Sequence, residues 1–346
     1  MKPVSALVLL IIILLVSCAP ISPPEPSPTV TPAPTPAATP APTPIEITTP
    51  EPEPSTPVSY TTGLPFDGVY RPVMAVIENT SAARPQTGLQ IADIVYEVPV
   101  ESSITRFVCV FSDNIPEEIL PVRSARIPFI YIQGEWEGIL MHWGAAGRKK
   151  TLWDKEYSVY GHSLYTKAGA VMDGMNSKWK NYFYRTKAKK SPHNVVGKPQ
   201  LAAELYDYQP TPPEWAFSSS FSYTGDVVTQ IELSMCSKKN NYVSYTYDEE
   251  KDLYLRFMSG KPFKAAETGE QVHVKNLIVQ HSTYKTSSGR KLWKLVGSGK
   301  AEYYIGGRLI TGSWKRESEH GKTVFLDDGG RQIVLAPGNT WIHIST

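Results

Sequence analysis

The chain has 346 residues, 41% of them hydrophobic and 20% charged, with a formal net charge of +2. This is the composition of an ordinary soluble globular protein with room for two domains, and the charge is too small to name a partner. Three cysteines, one of them at position 18, do not make a disulfide framework.

Residues 1–18 read as a lipoprotein signal peptide. Lys2 supplies the positive start, and Val4 to Val16 form an apolar run of secretory length. A spanning helix needs about 20 apolar residues, and this run ends earlier, at Ser17 and Cys18. The order Leu15-Val16-Ser17-Cys18 has the form of a lipobox, with Cys18 as the residue that receives lipid. The expected location is extracytoplasmic, lipid-anchored to the cell membrane; an uncleaved signal anchor and ordinary secretion are the alternatives.

Residues 19–62 read as a tether. Positions 19 to 57 hold 15 of the 30 prolines, interleaved with Thr, Ala, Ser and Glu. Proline fixes φ and removes a backbone donor, so this stretch builds no core and favours polyproline II. At ~3.1 Å per residue it reaches roughly 120 Å when extended.

The folded remainder is expected to be α+β, with an N-terminal mixed α/β sheet domain (63–213) followed by a mostly antiparallel β domain (214–346). In the first, Val73–Ile77, Ile94–Val98, Ile104–Phe111 and Ile139–His142 are apolar, β-branched runs of strand length. Ser124–Gln133 and Pro199–Tyr208 are the candidate helices. In the second, short strands recur with turn residues between them, such as Gly306-Gly307, Asp328-Gly329-Gly330 and Pro337-Gly338-Asn339. A proline cluster at Pro210, Pro212 and Pro213 marks the boundary. Cys109, apolar on both sides, reads as a buried free thiol, although the compartment permits a bridge to Cys236.

Several motifs resemble the YerB-like lipoprotein family, bacterial proteins containing a domain of unknown function in N- and C-terminal parts. They are Ala83-Arg84-Pro85-Gln86, Ala92-Asp93-Ile94-Val95-Tyr96-Glu97, Ile104-Thr105-Arg106-Phe107, Pro121-Val122-Arg123-Ser124-Ala125-Arg126 and Pro192-His193-Asn194. In the second part, Asn276-Leu277-Ile278-Val279-Gln280, Gly312-Ser313-Trp314 and Pro337-Gly338-Asn339-Thr340-Trp341-Ile342 fit as well. The resemblance spans everything after the tether and implies architecture and location, but no activity. One departure is Ser102-Ser103, where the family usually has two glycines. A loop that needs φ > 0 there takes a different shape in this chain.

The functional candidates concentrate in residues 84–126. Arginines and carboxylates at strand ends can gather at one edge of a sheet. The expected ligand-binding set is Arg84, Gln86, Asp93, Arg106, Arg123, Ser124, Arg126 and Asn194. If Arg123–Arg126 opens a helix, its free N–H groups and two guanidiniums would converge on an anion. The competing structural reading pairs these arginines with Asp93, Glu97 and Glu101 as an ion network. His142 and His193, with Glu97 or Glu101, are candidates for general acid–base catalysis. No His/Asp/Glu spacing marks a metal site, and no cofactor is implied.

From Gly174 to Ala203 there is no acidic residue, while seven Lys and Arg alternate with Trp179, Tyr182, Phe183 and Tyr184. Outside the cytoplasm the anions such a segment meets are wall polymers and lipid headgroups, so no nucleic-acid partner is expected. Arg256, Trp314, Lys315 and Trp341 are weaker candidates for a sugar- or peptide-contacting surface.

The favoured role is therefore an anchored lipoprotein that binds an anionic envelope ligand through an arginine-rich cleft. The first alternative is an envelope enzyme, a phosphotransferase or hydrolase acting on wall-polymer or lipid-linked precursors. Ala92-Asp93-Ile94 and Pro121-Val122-Arg123 are faintly similar to LytR-CpsA-Psr phosphotransferases, but Ser124 stands where those carry Asp. The second alternative is a scaffold for a partner protein.

Overall fold

Strand formation dominates the computed structural model, which describes residues 56–145, 171–235, 242–287 and 289–346. Cys18, most of the tether and Cys236 lie outside the described residues. The first strands are β1 (Val73–Glu78), β2 (Ile94–Pro99), β3 (Thr105–Phe111), β4 (Ile139–His142), β5 (Val171–Asp173), β6 (Phe183–Arg185) and β7 (Val195–Gly197). Then come β8 (Ala216–Phe217), β9 (Asp226–Val227), β10 (Gln230–Leu233), β11 (Val243–Asp248), β12 (Leu253–Met258), β13 (Lys261–Pro262) and β14 (His273–Val274). The last are β15 (Asn276–His281), β16 (Tyr284–Ser287), β17 (Arg290–Trp293), β18 (Gly297–Ile305), β19 (Arg308–Arg316), β20 (Val324–Asp327), β21 (Val334–Leu335) and β22 (Thr340–Ser345). The two α-helices among the described residues are α1 (Ile127–Trp136) and α2 (Pro199–Ala203).

A central sheet carries the order β20-β19-β18-β15-β22-β2-β3-β1-β4-β5, with β9 added beside β19. It is mixed: β1 runs parallel to β4, β4 to β5, and β22 parallel to both β2 and β15. Strands from 63–213 and from 214–346 thus share one sheet, joined where Glu97 stands opposite His343. The composition of elements agrees with an α+β reading in which strand prevails. The mostly antiparallel pattern expected after residue 214 has parallel exceptions at β22, beside β15, and at β21, beside β8. Five of the six β22 residues are buried, Thr340–Ile344 without interruption, so this strand takes an interior position instead of closing an outer hairpin.

Burial on both faces explains the uninterrupted apolar runs. From β1, Val73, Ala75 and Ile77 point to one core while Met74 and Val76 point to the other. The first core packs against a second sheet, built from β10-β11-β12-β13 with β14 beside β12. The second core takes Phe129, Ile132 and Trp136 from α1, together with Trp293 and Trp314. Trp314, Trp341 and Arg256 are fully buried, which removes them from any exposed contact surface. Cys109 is a buried free cysteine in the first core.

Both helices differ from expectation. The stretch Arg123–Arg126 is not helical. The Arg123 amide donates to the Val76 carbonyl, the Trp143 amide to the Arg123 carbonyl and the Ala125 amide to the Gly144 carbonyl. The segment is held between the ends of β1 and β4, and the helix starts only at Ile127, where a proline favours the first turn. Helix α2 ends early, before Tyr206 and Tyr208, whose hydroxyls donate to the carbonyls of Pro72 (2.6 Å) and Glu137 (2.8 Å).

Candidate functional site

Strands β1 and β2 both run antiparallel to β3, so their C-terminal ends lie on the same edge as the start of β3. Glu78, Asn79, Glu97, Glu101, Thr105 and Arg106 collect there. The 122–126 segment adds Arg123, Ser124 and Arg126. Arg84, Arg106, Arg123 and Arg126 therefore meet Glu78, Glu97 and Glu101 at one sheet edge, in three subclusters.

In the first, Arg126 grips Glu101 with both arms: Nε donates to Oε2 at 2.8 Å and Nη2 pairs with Oε1. Arg106 Nη2 lies 3.8 Å from the same Oε1, and its Nη1 donates to the Ser124 carbonyl. One carboxylate thus serves two buried guanidiniums, and Arg106 Nε has no acceptor. Burial acts to raise the Glu101 carboxyl, but hydrogen bonds and charge from Arg126, with Arg106 behind, hold it down at about 2. Burial, then repulsion from Arg126, lowers Arg106 to about 9. The Ser124 hydroxyl donates to the Trp143 carbonyl at 2.9 Å.

The second subcluster centres on Glu78, whose side chain is buried. Its Oε2 lies 2.8 Å from Arg123 Nε and 2.7 Å from His193 Nδ1. Arg123 and His193 keep 21% and 19% of their side-chain surface exposed, which makes them the accessible basic groups among the ion pairs of the edge, beside Glu101 at 26%.

The third is sealed. Glu97 and Arg256 are fully buried and paired at 2.7 Å, and Glu97 also accepts from Thr105 (2.6 Å) and Asn79 (3.0 Å). The Arg256 guanidinium lies 4.6 Å from the Trp341 ring centroid and 4.9 Å from that of Phe263. It donates to the Tyr245 hydroxyl, which stands 2.9 Å from His343 Nε2. Burial lowers His343 to about 3, so at neutral pH it is uncharged and its 3.4 Å approach to Glu97 is no ion pair. Burial would raise Glu97, but the Arg256 charge, with the Thr105 hydrogen bond, holds it below its ordinary value. The sealed position leaves Glu97 no route to a substrate.

The other predicted residues divide. Arg84 donates from Nη2 to the Asn79 carbonyl at 2.8 Å, and buried Gln86 donates to the Glu78 carbonyl at 2.8 Å, so both brace the edge. Asn194 accepts from Arg185 at 2.7 Å, beside His193. Buried His142 stands at the end of β4, with Nδ1 2.9 Å from the Gly144 carbonyl. Asp93 is not part of the edge. It precedes β2, where it accepts from Thr61 and the amides of Ser112 and Asp113. Burial and neighbouring Asp113 raise it to about 7. Asp93 and Arg123 therefore sit at opposite ends of the parallel strands, and the pair that a phosphotransferase likeness requires is not assembled.

Sequence reasoning missed Glu78, Asn79, Tyr245 and His343. Glu78 carried a readable signal, an acid closing an apolar strand. The basic segment is docked on the edge. The Pro192 carbonyl accepts from Arg123 (3.3 Å), His193 meets Glu78, and Lys189 donates to the Arg84 carbonyl (3.2 Å). Within it Trp179 and Phe183 are buried while Lys178, Lys180, Arg185, Lys187 and Lys190 are exposed.

Comparison with known proteins adds to this geometry. Residues 61–210 match the N-terminal domain, and residues 231–342 the C-terminal domain, of DUF3048, a protein of unknown function. "Putative lipoprotein YerB" of Bacillus subtilis (strain 168) is 31% identical over 284 residues, which are 79% of this chain and 81% of its own. The crystal structure of the YerB protein from Bacillus subtilis aligns with a TM-score of 0.68 at 28% identity, covering 83% of this chain and 96% of that one.

Proposed function

The chain belongs to the DUF3048 family of YerB-like proteins, and from that premise we propose that it is an anchored envelope lipoprotein that binds a phosphate-bearing anion at its arginine edge. Anchoring through Cys18 rests on the lipobox and on the name of the relative. One observation carries the anion reading: the acid-free basic segment docks on the arginine edge through Arg123, His193 and Lys189. Two positive features distant in sequence thereby become one surface. Arg84, Arg106, Arg123 and Arg126 outnumber Glu78 and Glu101 there, and Glu97 is taken by Arg256. Arg106 and Arg126 are too buried to touch a large ligand; they supply field, while Arg123, His193 and the lysines supply contact.

The test is calorimetric titration of the full chain with pyrophosphate at low and high salt. Binding is expected at low salt and is expected to weaken as salt rises. Arg123→Gln combined with Lys187→Ala and Lys190→Ala is expected to lower affinity at least tenfold while the protein stays folded, with a lower melting temperature from the unpaired Glu78. Unchanged affinity in that variant, or no binding at low salt, overturns the reading.

The enzyme reading is favoured by one contact, His193 Nδ1 to Glu78 at 2.7 Å. A carboxylate holding one ring nitrogen fixes the tautomer and leaves the other nitrogen to act as a base. Turnover of a lipid-linked phosphate precursor that disappears in His193→Ala would select it over simple binding.

A further inference from the structure

Glu101 also borders a cavity of about 480 Å³ between the 99–103 loop and the β16–β17 hairpin, whose lining includes none of the arginines. That volume is in the range of small-molecule sites. The hairpin is fixed to the end of β2 by Trp293, whose Nε1 donates to the Pro99 carbonyl at 2.8 Å. Lys291 rises from the hairpin with its ammonium 4.6 Å from the Tyr284 ring centroid and 5.6 Å from that of Trp293. Among the described residues no carboxylate pairs with Lys291; Glu101, the acid in the lining, is occupied by Arg126. Tyr284 keeps 38% of its surface exposed at the cavity.

The opposite wall is unusual. Ser102 and Ser103 both stand at positive φ, 59° and 54°. Glycine adopts that backbone freely, whereas serine is strained in it, and strain of this kind gathers at binding sites. Both serines line the cavity. The fold thus tolerates two unfavourable residues in the wall of this cavity.

We propose that this cavity binds a sugar bearing one acidic group. Lys291 meets the acid, Tyr284 packs against the ring, and Ser102 and Ser103 bond to ring hydroxyls. The site is separate from the arginine edge, because none of its contacts uses Arg106, Arg123, Arg126 or His193.

Isothermal titration of the full chain with D-glucuronate, D-glucose 6-phosphate, D-glucose and inorganic phosphate tests it. At least one acidic sugar is expected to bind tenfold or more tightly than glucose or phosphate alone, and which one does so identifies the acid as carboxylate or phosphate. Lys291→Gln is expected to erase the advantage of the acidic sugar over glucose. The combined change Ser102→Gly and Ser103→Gly is expected to raise the melting temperature by about 2–4 °C for each kcal/mol of strain relieved, yet to weaken the acidic sugar at least tenfold. Ser102→Ala with Ser103→Ala, which removes hydroxyls without changing backbone freedom, is expected to weaken binding equally. Acidic sugars that bind no better than phosphate overturn the proposal, as does affinity unchanged in both serine variants.

Discussion

Asp93, just ahead of β2, and His343, on the neighbouring β22, respond to burial in opposite senses. His343 falls from 6.5 to about 3, so the unfolded chain binds the extra proton. Its contribution is complete above pH 6.5 and is lost as pH falls towards 3, by roughly 2 kcal/mol at pH 5. Asp93 rises from 3.8 to about 7. Its contribution is complete below 3.8 and is lost as pH rises through 7. The wild-type curve is therefore flattened between these limits. Urea unfolding across pH 4.5–8 is expected to show stability that falls as pH rises towards 7 in His343→Gln, where only Asp93 titrates, and stability that rises with pH up to 6.5 in Asp93→Asn, where only His343 does. Variants with the wild-type slopes would refute the assignment. Ser102 and Ser103 belong to the same scale: each left-handed serine costs of order 1–3 kcal/mol, and only the resemblance to a glycine-bearing family hinted at that backbone.

Between elements, the Glu97–Arg256 pair ties β2 to β12 of the second sheet. Removing one partner leaves a buried charge alone, so Arg256→Met is expected to cost about 3–5 kcal/mol in urea unfolding, while adding Glu97→Leu recovers most of the loss. A double variant as unstable as the single one would count against this account. The strands themselves were legible: β1 to β4 follow apolar runs that demand burial on both faces. The partnership across 159 residues was not legible, because nothing local to Arg256 distinguishes a sealed guanidinium from a surface one. The gathering of Arg106, Arg123 and Arg126 at one edge was readable from their places at strand ends. The extended form of 123–126 was not, since it depends on amide partners in β1 and after β4.

At the scale of the whole molecule, the proposed anchor at Cys18 is directly testable. Cys18→Ala is expected to move the protein from the membrane fraction into the medium; retention in the membrane would defeat the lipoprotein reading. Pattern in the sequence separates the tether from the folded part, but it gives no sign that both halves share a sheet. That sharing also governs timing. Thr340 stands beside both Ile94 and Asn276, so the middle of the sheet stays open until the latest of the described strands has been synthesised. Pairing across 246 residues is slow compared with closure of a hairpin. A chain emerging N-terminus first would hold β2 and β15 as bare apolar edges awaiting one shared neighbour, the interval in which such edges aggregate. Pairing of β22 is thus the step that closes the middle of the sheet and covers both apolar edges at once.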